Sequence, residues 1–248
     1  MAAEELRSPV ILAHYVNTGA YSGHDWFYET AKWMAAKVSV PVAIHLDHGD
    51  SFERCMEMLK LGFTSIMFDG SALPVEENAA ATEAVARVCR SFGVPLEAEI
   101  GELCRLDDKG NKMGASNIAD PDVVRQYLKL CHPDSLAIGI GNAHGFYNGP
   151  VDIRAEVLEE CRKFTDIPFV LHGCTGMDEE LVKRSIDSGV TKINFGTQVR
   201  CQYVNYLKEG LAEGKDQGHA WRLSQYAELR LREDIKDIIR LAGSQEKA

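Results

Sequence analysis

The sequence predicts an α/β fold built on a parallel sheet, and three observations predict it. Short runs rich in Val and Ile recur along the 248 residues, segments of helical periodicity separate them, and several runs open on Pro and close on Gly or His-Gly. Strand then helix, repeated, gives a parallel sheet, and near-continuous apolar runs fit strands covered on both faces. Taken in order, strands are expected over 9–14, 41–48, 65–70, 95–101, 135–141, 168–173 and 192–197. The entering Pro sets the backbone at the start of a run, and the closing Gly permits a tight exit at its carboxyl end. Helices are expected over 51–61, 76–92, 121–131, 153–164 and 178–188, with terminal helices over 221–241.

A closed barrel of this kind needs eight strands, each followed by a helix. Seven runs are present, and residues 2–7 read as the last turns of a helix feeding the first of them. The expectation is therefore a TIM (β/α)8 barrel lacking its first strand and most of its first helix. No repeat, low-complexity stretch or linker divides it, so residues 1–248 are expected to form a single domain.

Composition excludes several function classes. With 27 Lys and Arg against 37 Asp and Glu, the net charge is −10, which argues against a broad nucleic-acid surface because such binding rests on many cationic phosphate contacts. No run approaches the ~20 apolar residues that span a bilayer, and Glu4, Glu5 and Arg7 interrupt any signal-peptide core. A cytoplasmic protein without nucleic-acid or membrane partners is expected. The seven cysteines are odd in number and never spaced C-x-x-C, so they read as reduced thiols, most of them buried.

Three histidines end expected strands and are each followed by glycine: His48 in HLDHG, His144 in GNAHG and His172 in VLHGC. In a parallel barrel those ends converge on the face that carries active sites, where three imidazoles can ligate one metal and leave a position open. Imidazole suits Zn²⁺ among divalent ions. His45 reads as structural, and His14, His24, His132 and His219 lack the pattern. Carboxylates recur at similar strand ends, Asp69 in MFDGS and Glu99 in EAEIG, with Asp47 directly before His48. Acidic groups among apolar strand residues are costly unless paired, metal-bound or catalytic. Asp47 is the candidate for proton transfer; alternation points it away from the direction of His48, yet still on the barrel mouth. Asp69 can equally be a turn carboxylate bonding its own backbone. Two loops of small residues, Gly173-Cys174-Thr175-Gly176 and Asn194-Phe195-Gly196-Thr197, enter helices and are suited to a phosphate.

Taken together, the ordered motifs AAEELRSPVIL, HLDHG, IMFDGS, EAEIG, AIGIGNAHGFY, VLHGCTGM, KINFGT and DIKDIIRLAGS resemble the class II, zinc-dependent ketose-bisphosphate aldolases, near the tagatose/fructose-bisphosphate branch. The resemblance covers nearly the whole chain. It implies an aldehyde-lyase of carbohydrate metabolism and glycolysis that cleaves a ketose 1,6-bisphosphate to dihydroxyacetone phosphate and glyceraldehyde 3-phosphate. His48, His144 and His172 fall on the zinc ligands, Asp47 on the acid/base for the C4 hydroxyl, and Asp69 and Glu99 on positions that hold an alternative or second divalent metal. Gly145, Gly173, Cys174, Thr175, Asn194, Phe195, Gly196 and Thr197 fall on the contacts to the dihydroxyacetone phosphate moiety, and a homo-oligomer is a family expectation.

The departures are specific. The family's strand and helix before AAEELRSPVIL are absent. In the loop after Glu99, Cys104-Arg105 replaces two glycines and Asp107-Asp108 replaces Glu-Asp, leaving Asp107 where the family's glutamate moves a proton. Asn148 stands where a lysine is common, Phe195 and Gly196 match neither the fructose-type nor the tagatose-type pattern, and Arg222 lies near the family's arginine for the second phosphate. The alternative is a non-catalytic phosphosugar-binding relative that keeps the fold.

Overall fold

A computed structural model of the chain describes residues 1–101, 118–145 and 153–248, together with the backbone of 104–106 and 112–113. Strands β1 (Val10–Tyr15), β2 (Val42–Gly49), β3 (Ser65–Phe68) and β4 (Leu96–Ile100) are followed by the short β5 (Cys104–Leu106) and β6 (Lys112–Met113), then β7 (Ser135–Ile138), β8 (Ala143–His144), β9 (Phe169–Leu171) and β10 (Val190–Ile193). Seven of them form one parallel sheet in the order β1-β2-β3-β4-β7-β9-β10. This is the expected barrel with seven strands.

Helices α1 (Ala2–Glu5), α2 (Gly19–Ser22), α3 (His24–Ala35), α4 (Phe52–Leu61), α5 (Val75–Phe92), α6 (Pro121–Leu130), α7 (Glu156–Arg162), α8 (Glu179–Asp187), α9 (Thr197–Ala212) and α10 (Ala220–Leu241) complete it. Local chemistry starts several of them: Ser51, Asp120 and Asp178 each accept a first-turn backbone N–H, and Pro121 opens α6 where its missing N–H costs nothing. One face of each strand packs outward on the helices. Ile44, Leu46, Ile66, Phe68 and Leu96 share a core with α4 and α5, while Leu136, Ile138, Phe169 and Leu171 share another with α6 and α7.

Several boundaries differ from the expectation. The run 135–141 stops pairing at Ile138, and the chain then forms β8, which joins β5 and β6 in a separate three-stranded sheet. The last strand lies at Val190–Ile193 rather than 192–197, and residues 221–241 lie in one helix rather than several. Helix α3 was not expected at all. Among the described residues, no helix is long and apolar enough to cross a membrane.

The sheet ends at β1 and β10, which do not pair with each other. Residues of both strands line one cleft of about 2200 Å³ that also takes in Trp26 and Met34 of α3 and Ile235 and Ile238 of α10. Outer amides of β1 and β10 can open without disturbing a neighbour on that side. In native-state hydrogen exchange they are expected to be at least ~100-fold less protected than those of β3, β4 and β7, which should approach the global unfolding limit.

Candidate metal centre and active site

Plain alternation along β2 would send His48 to the helix side with Leu46. Instead the pairing with β3 runs His45 to Ser65 and Leu46 to Ile66, then slips to Gly49 opposite Phe68, and His48 takes φ +52°. This bulge brings the His48 imidazole to the same mouth as Asp47, where both line the cleft, so the expected divergence of the two side chains does not occur. A left-handed non-glycine residue costs on the order of 1–3 kcal/mol, a cost that the surrounding ladder carries. Gly49 follows because a Cβ there would lie 2.5 Å from the Met67 carbonyl oxygen and 2.8 Å from a Leu46 methyl.

His48 donates from Nδ1 to Asp69 Oδ2 at 2.7 Å, and Glu99 Oε2 lies 3.8 Å from the same nitrogen. The other oxygen of Asp69 accepts from the backbone N–H and hydroxyl of Ser71, so the turn contact and the contact to His48 use different oxygens. His172 is buried; its Nε2 meets Glu97 Oε1 at 2.9 Å and its Nδ1 lies 3.1 Å from His48 Nε2. His144, on β8, presents its ring edge-on to both, with centroids 5.0 Å from His48 and 6.0 Å from His172. Ligand atoms of His48, His144 and His172 lie within 4.8 Å of one another, and so do those of His48, Asp69 and Glu99.

Electrostatics set the protonation. Burial works against a charged His48, but the Asp69 hydrogen bond and the charges of Glu99, Asp47 and Asp69 outweigh it and raise its pKa to about 9. Burial would raise Asp69, yet His48 and Ser71 bring it down to about 2. Burial, with His48 and Lys192 nearby, holds His172 well below the usual imidazole range. With its outer nitrogen donating to Glu97, His172 presents an Nδ1 lone pair to His48 Nε2 at 3.1 Å, and in the metal-free protein the raised pKa of His48 puts a proton on that Nε2, between the two rings. Two acceptors at that distance repel unless a proton or a cation lies between them. Three imidazoles, two of them backed by carboxylates, therefore fit a divalent metal such as Zn²⁺.

The two phosphate-loop candidates meet beside this cluster. Thr175, buried after β9, accepts from the backbone N–H of Gln198 in the first turn of α9 and so ties the loops together. Asn194 donates its side-chain amide to Asp47 Oδ1 at 3.0 Å. Helix α9 has no side-chain cap from Gly196 and no acidic residue in its first turn, which leaves N–H groups for an anion. Gly145, Gly173, Thr175, Asn194, Phe195, Gly196 and Thr197 all line the cleft. Cys174 does not: its thiol is buried against the Leu171 and His172 carbonyls and burial pushes its pKa up, so only its backbone is available. Asp107 and Asn148 lie outside the described residues. Arg222 stacks on Trp221 and bonds Gln217, away from the cleft lining.

Gly173 adopts φ +65°, and a Cβ there would lie 2.4 Å from the Ala143 carbonyl oxygen. Gly173→Ala is therefore expected to destabilise the protein by more than about 1 kcal/mol, read by chemical denaturation, and to weaken metal binding by moving His144 and His172 apart.

Sequence reasoning missed Glu97 and Lys192, the groups beneath His172. Glu97 was legible, because it shares the inward face of β4 with Glu99.

A family model described as fructose-bisphosphate aldolase class-II matches residues 1–247. A "Probable fructose-bisphosphate aldolase" of Bacillus subtilis (strain 168) is 36% identical over 253 residues, covering 100% of this chain and 87% of its own. The crystal structure of the YdjI aldolase from Escherichia coli K12 superposes with a TM-score of 0.84 at 30% identity, over 100% of this chain and 86% of that one. A "putative fructose-1,6-biphosphate aldolase" from Coccidioides immitis gives 0.86 at 26% identity, over 99% of this chain and 86% of that one. With a histidine triad at the strand ends and a match that runs the length of the sequence, the chain belongs to the class II fructose-bisphosphate aldolase family.

Proposed function

We propose that the protein is a Zn²⁺-dependent lyase that reversibly cleaves a ketose 1,6-bisphosphate, of the fructose or tagatose type, to dihydroxyacetone phosphate and glyceraldehyde 3-phosphate. The observation that carries this reading is the convergence of the His48, His144 and His172 ring nitrogens beside Asp47 and the α9 amino terminus. His48, His144 and His172 would hold the ion, which would supply a Lewis acid for the substrate carbonyl. Asp69 and Glu99 offer, with His48, a second position for a divalent ion.

The chain's own residues do the rest. Loop amides after β9 and β10 bind the C1 phosphate and place the sugar chain across the mouth. Asp47, oriented by Asn194, takes the C4 hydroxyl proton in cleavage and returns it in condensation. Asp107 is proposed for the proton at the dihydroxyacetone phosphate carbon. The reading places the enzyme in the cytoplasm, in glycolytic carbohydrate metabolism, and as a homo-oligomer.

The test is triose phosphate formation from fructose 1,6-bisphosphate and tagatose 1,6-bisphosphate in parallel, with Zn²⁺ and with EDTA. EDTA-sensitive cleavage is expected, and the faster sugar assigns specificity at C4. Zinc binding with no cleavage of either sugar would overturn the lyase reading in favour of a phosphosugar-binding relative.

A further inference from the structure

The inward face of the sheet carries a second polar tier beneath the metal cluster. Alternation puts Glu97 below Glu99 on β4 and His45 below Asp47 on β2, and Lys192 of β10 lies two residues before Asn194. Glu97 and His45 are buried, and the Lys192 side chain is only 12% exposed. Lys192 Nζ donates to both Glu97 oxygens, at 3.2 and 2.9 Å, and so fixes the plane of the carboxylate. Glu97 Oε1 then faces His172 Nε2 at 2.9 Å, while His45, anchored by Ser65 at 2.7 Å, closes the far side with Nε2 3.7 Å from Oε2.

A buried ion pair is weak evidence for stability, since desolvating two charges offsets most of their attraction. Its geometry here serves the imidazole above it. We propose that Glu97, clamped by Lys192, is a positioning residue: it fixes His172 as the Nε2–H tautomer and aims the Nδ1 lone pair at the point faced by His48 Nε2. Without that clamp the ring can take the other tautomer or turn over, and Nδ1 no longer converges with His48 and His144. The functional consequence rests on the metal-centre reading above; the tautomer assignment does not.

The experiment uses the full chain labelled with ¹⁵N-histidine, metal-free, and reads the His172 ring nitrogens by NMR. Zn²⁺ affinity is measured separately by competition with a chromophoric chelator. A single Nε2–H tautomer is expected in the unsubstituted protein. The double substitution Glu97→Met with Lys192→Met replaces the pair by apolar side chains of similar volume. It should give mixed tautomers and about 10–100-fold weaker Zn²⁺ binding, with kcat lowered and KM little changed. Lys192→Arg keeps two donors for the carboxylate and should restore the single tautomer. If the double variant does not fold, Lys192→Met alone is expected to show the same two losses. An Nδ1–H tautomer in the unsubstituted protein overturns the proposal, as does a folded variant without the clamp that keeps both the tautomer and the affinity. Should the unsubstituted protein bind no zinc, the metal reading fails, and the tautomer comparison still decides this one.

Discussion

His48→Ala is expected to abolish measurable triose phosphate formation at stoichiometric Zn²⁺ and to weaken Zn²⁺ binding by more than the ~100-fold that loss of an outer partner brings. Among the described residues His48 belongs to both groups of side chains that can hold an ion, so its loss removes a ligand from each. The same residue sets a pH dependence. In the metal-free protein its pKa is raised to about 9, so below that pH an ion must displace a proton, and apparent Zn²⁺ affinity should fall about tenfold per pH unit. Stability of the metal-free protein follows the opposite course. A raised histidine pKa stabilises the fold fully below its ordinary value of 6.5, and that contribution is lost as pH rises through about 9. The lowered Asp69 stabilises above its ordinary 3.8, and its contribution is lost as pH falls toward about 2. The pair therefore supports the metal-free fold best between about pH 4 and 6.5, a window that thermal unfolding with chelator present should reveal and that His48→Ala should flatten. A profile unchanged by the substitution would mean that the His48–Asp69 pair is not formed in solution.

How much of this could be read in the sequence depended on whether one segment determined it. Buried parallel strands such as β4 and β9 are written as short apolar runs because both faces are covered, and their positions were legible within a residue or two. Overextension happened where apolar residues continue past the ladder. Ile140 is fully buried beyond the end of β7, and Phe195 packs on the core from the loop after β10, so each loop mimics a strand in composition. Helix α3 escaped for the converse reason. Trp26 and Trp33 are largely exposed while Ala31 is buried, so apolar residues fall on several faces and blur the 3.6-residue period.

Features set by two segments at once were not legible. The bulge at His48 arises from the register between β2 and β3, and β8, two residues long, exists because it pairs with β5. That the three histidines cluster was legible from their shared His-Gly context, while the ring nitrogen that each of His48 and His172 turns inward depends on carboxylates 21 and 75 residues away in sequence. Thr175 was legible as a loop residue, but its bond to Gln198 requires β9 and β10 to lie side by side.

Asp47→Asn separates proton transfer from metal binding, and its expected effect is a fall in kcat of about 10²–10⁴ with Zn²⁺ content unchanged. The substitution is nearly isosteric. The side-chain carbonyl of Asn can still accept from Asn194 Nδ2, now 3.0 Å from Asp47 Oδ1, so the orientation of the group and the loop after β10 should persist. What is lost is the ability to take a proton from the C4 hydroxyl. Because Asp47 also contributes to the raised pKa of His48, its neutralisation should lower that pKa and make Zn²⁺ binding slightly less sensitive to pH near neutrality. An inactive variant that retains its metal assigns the proton transfer to Asp47. A variant that loses metal in proportion to activity would instead make Asp47 a support of the histidine cluster, and would move the acid/base role to another group at the mouth. A variant with undiminished kcat and full metal content would remove Asp47 from the chemistry altogether.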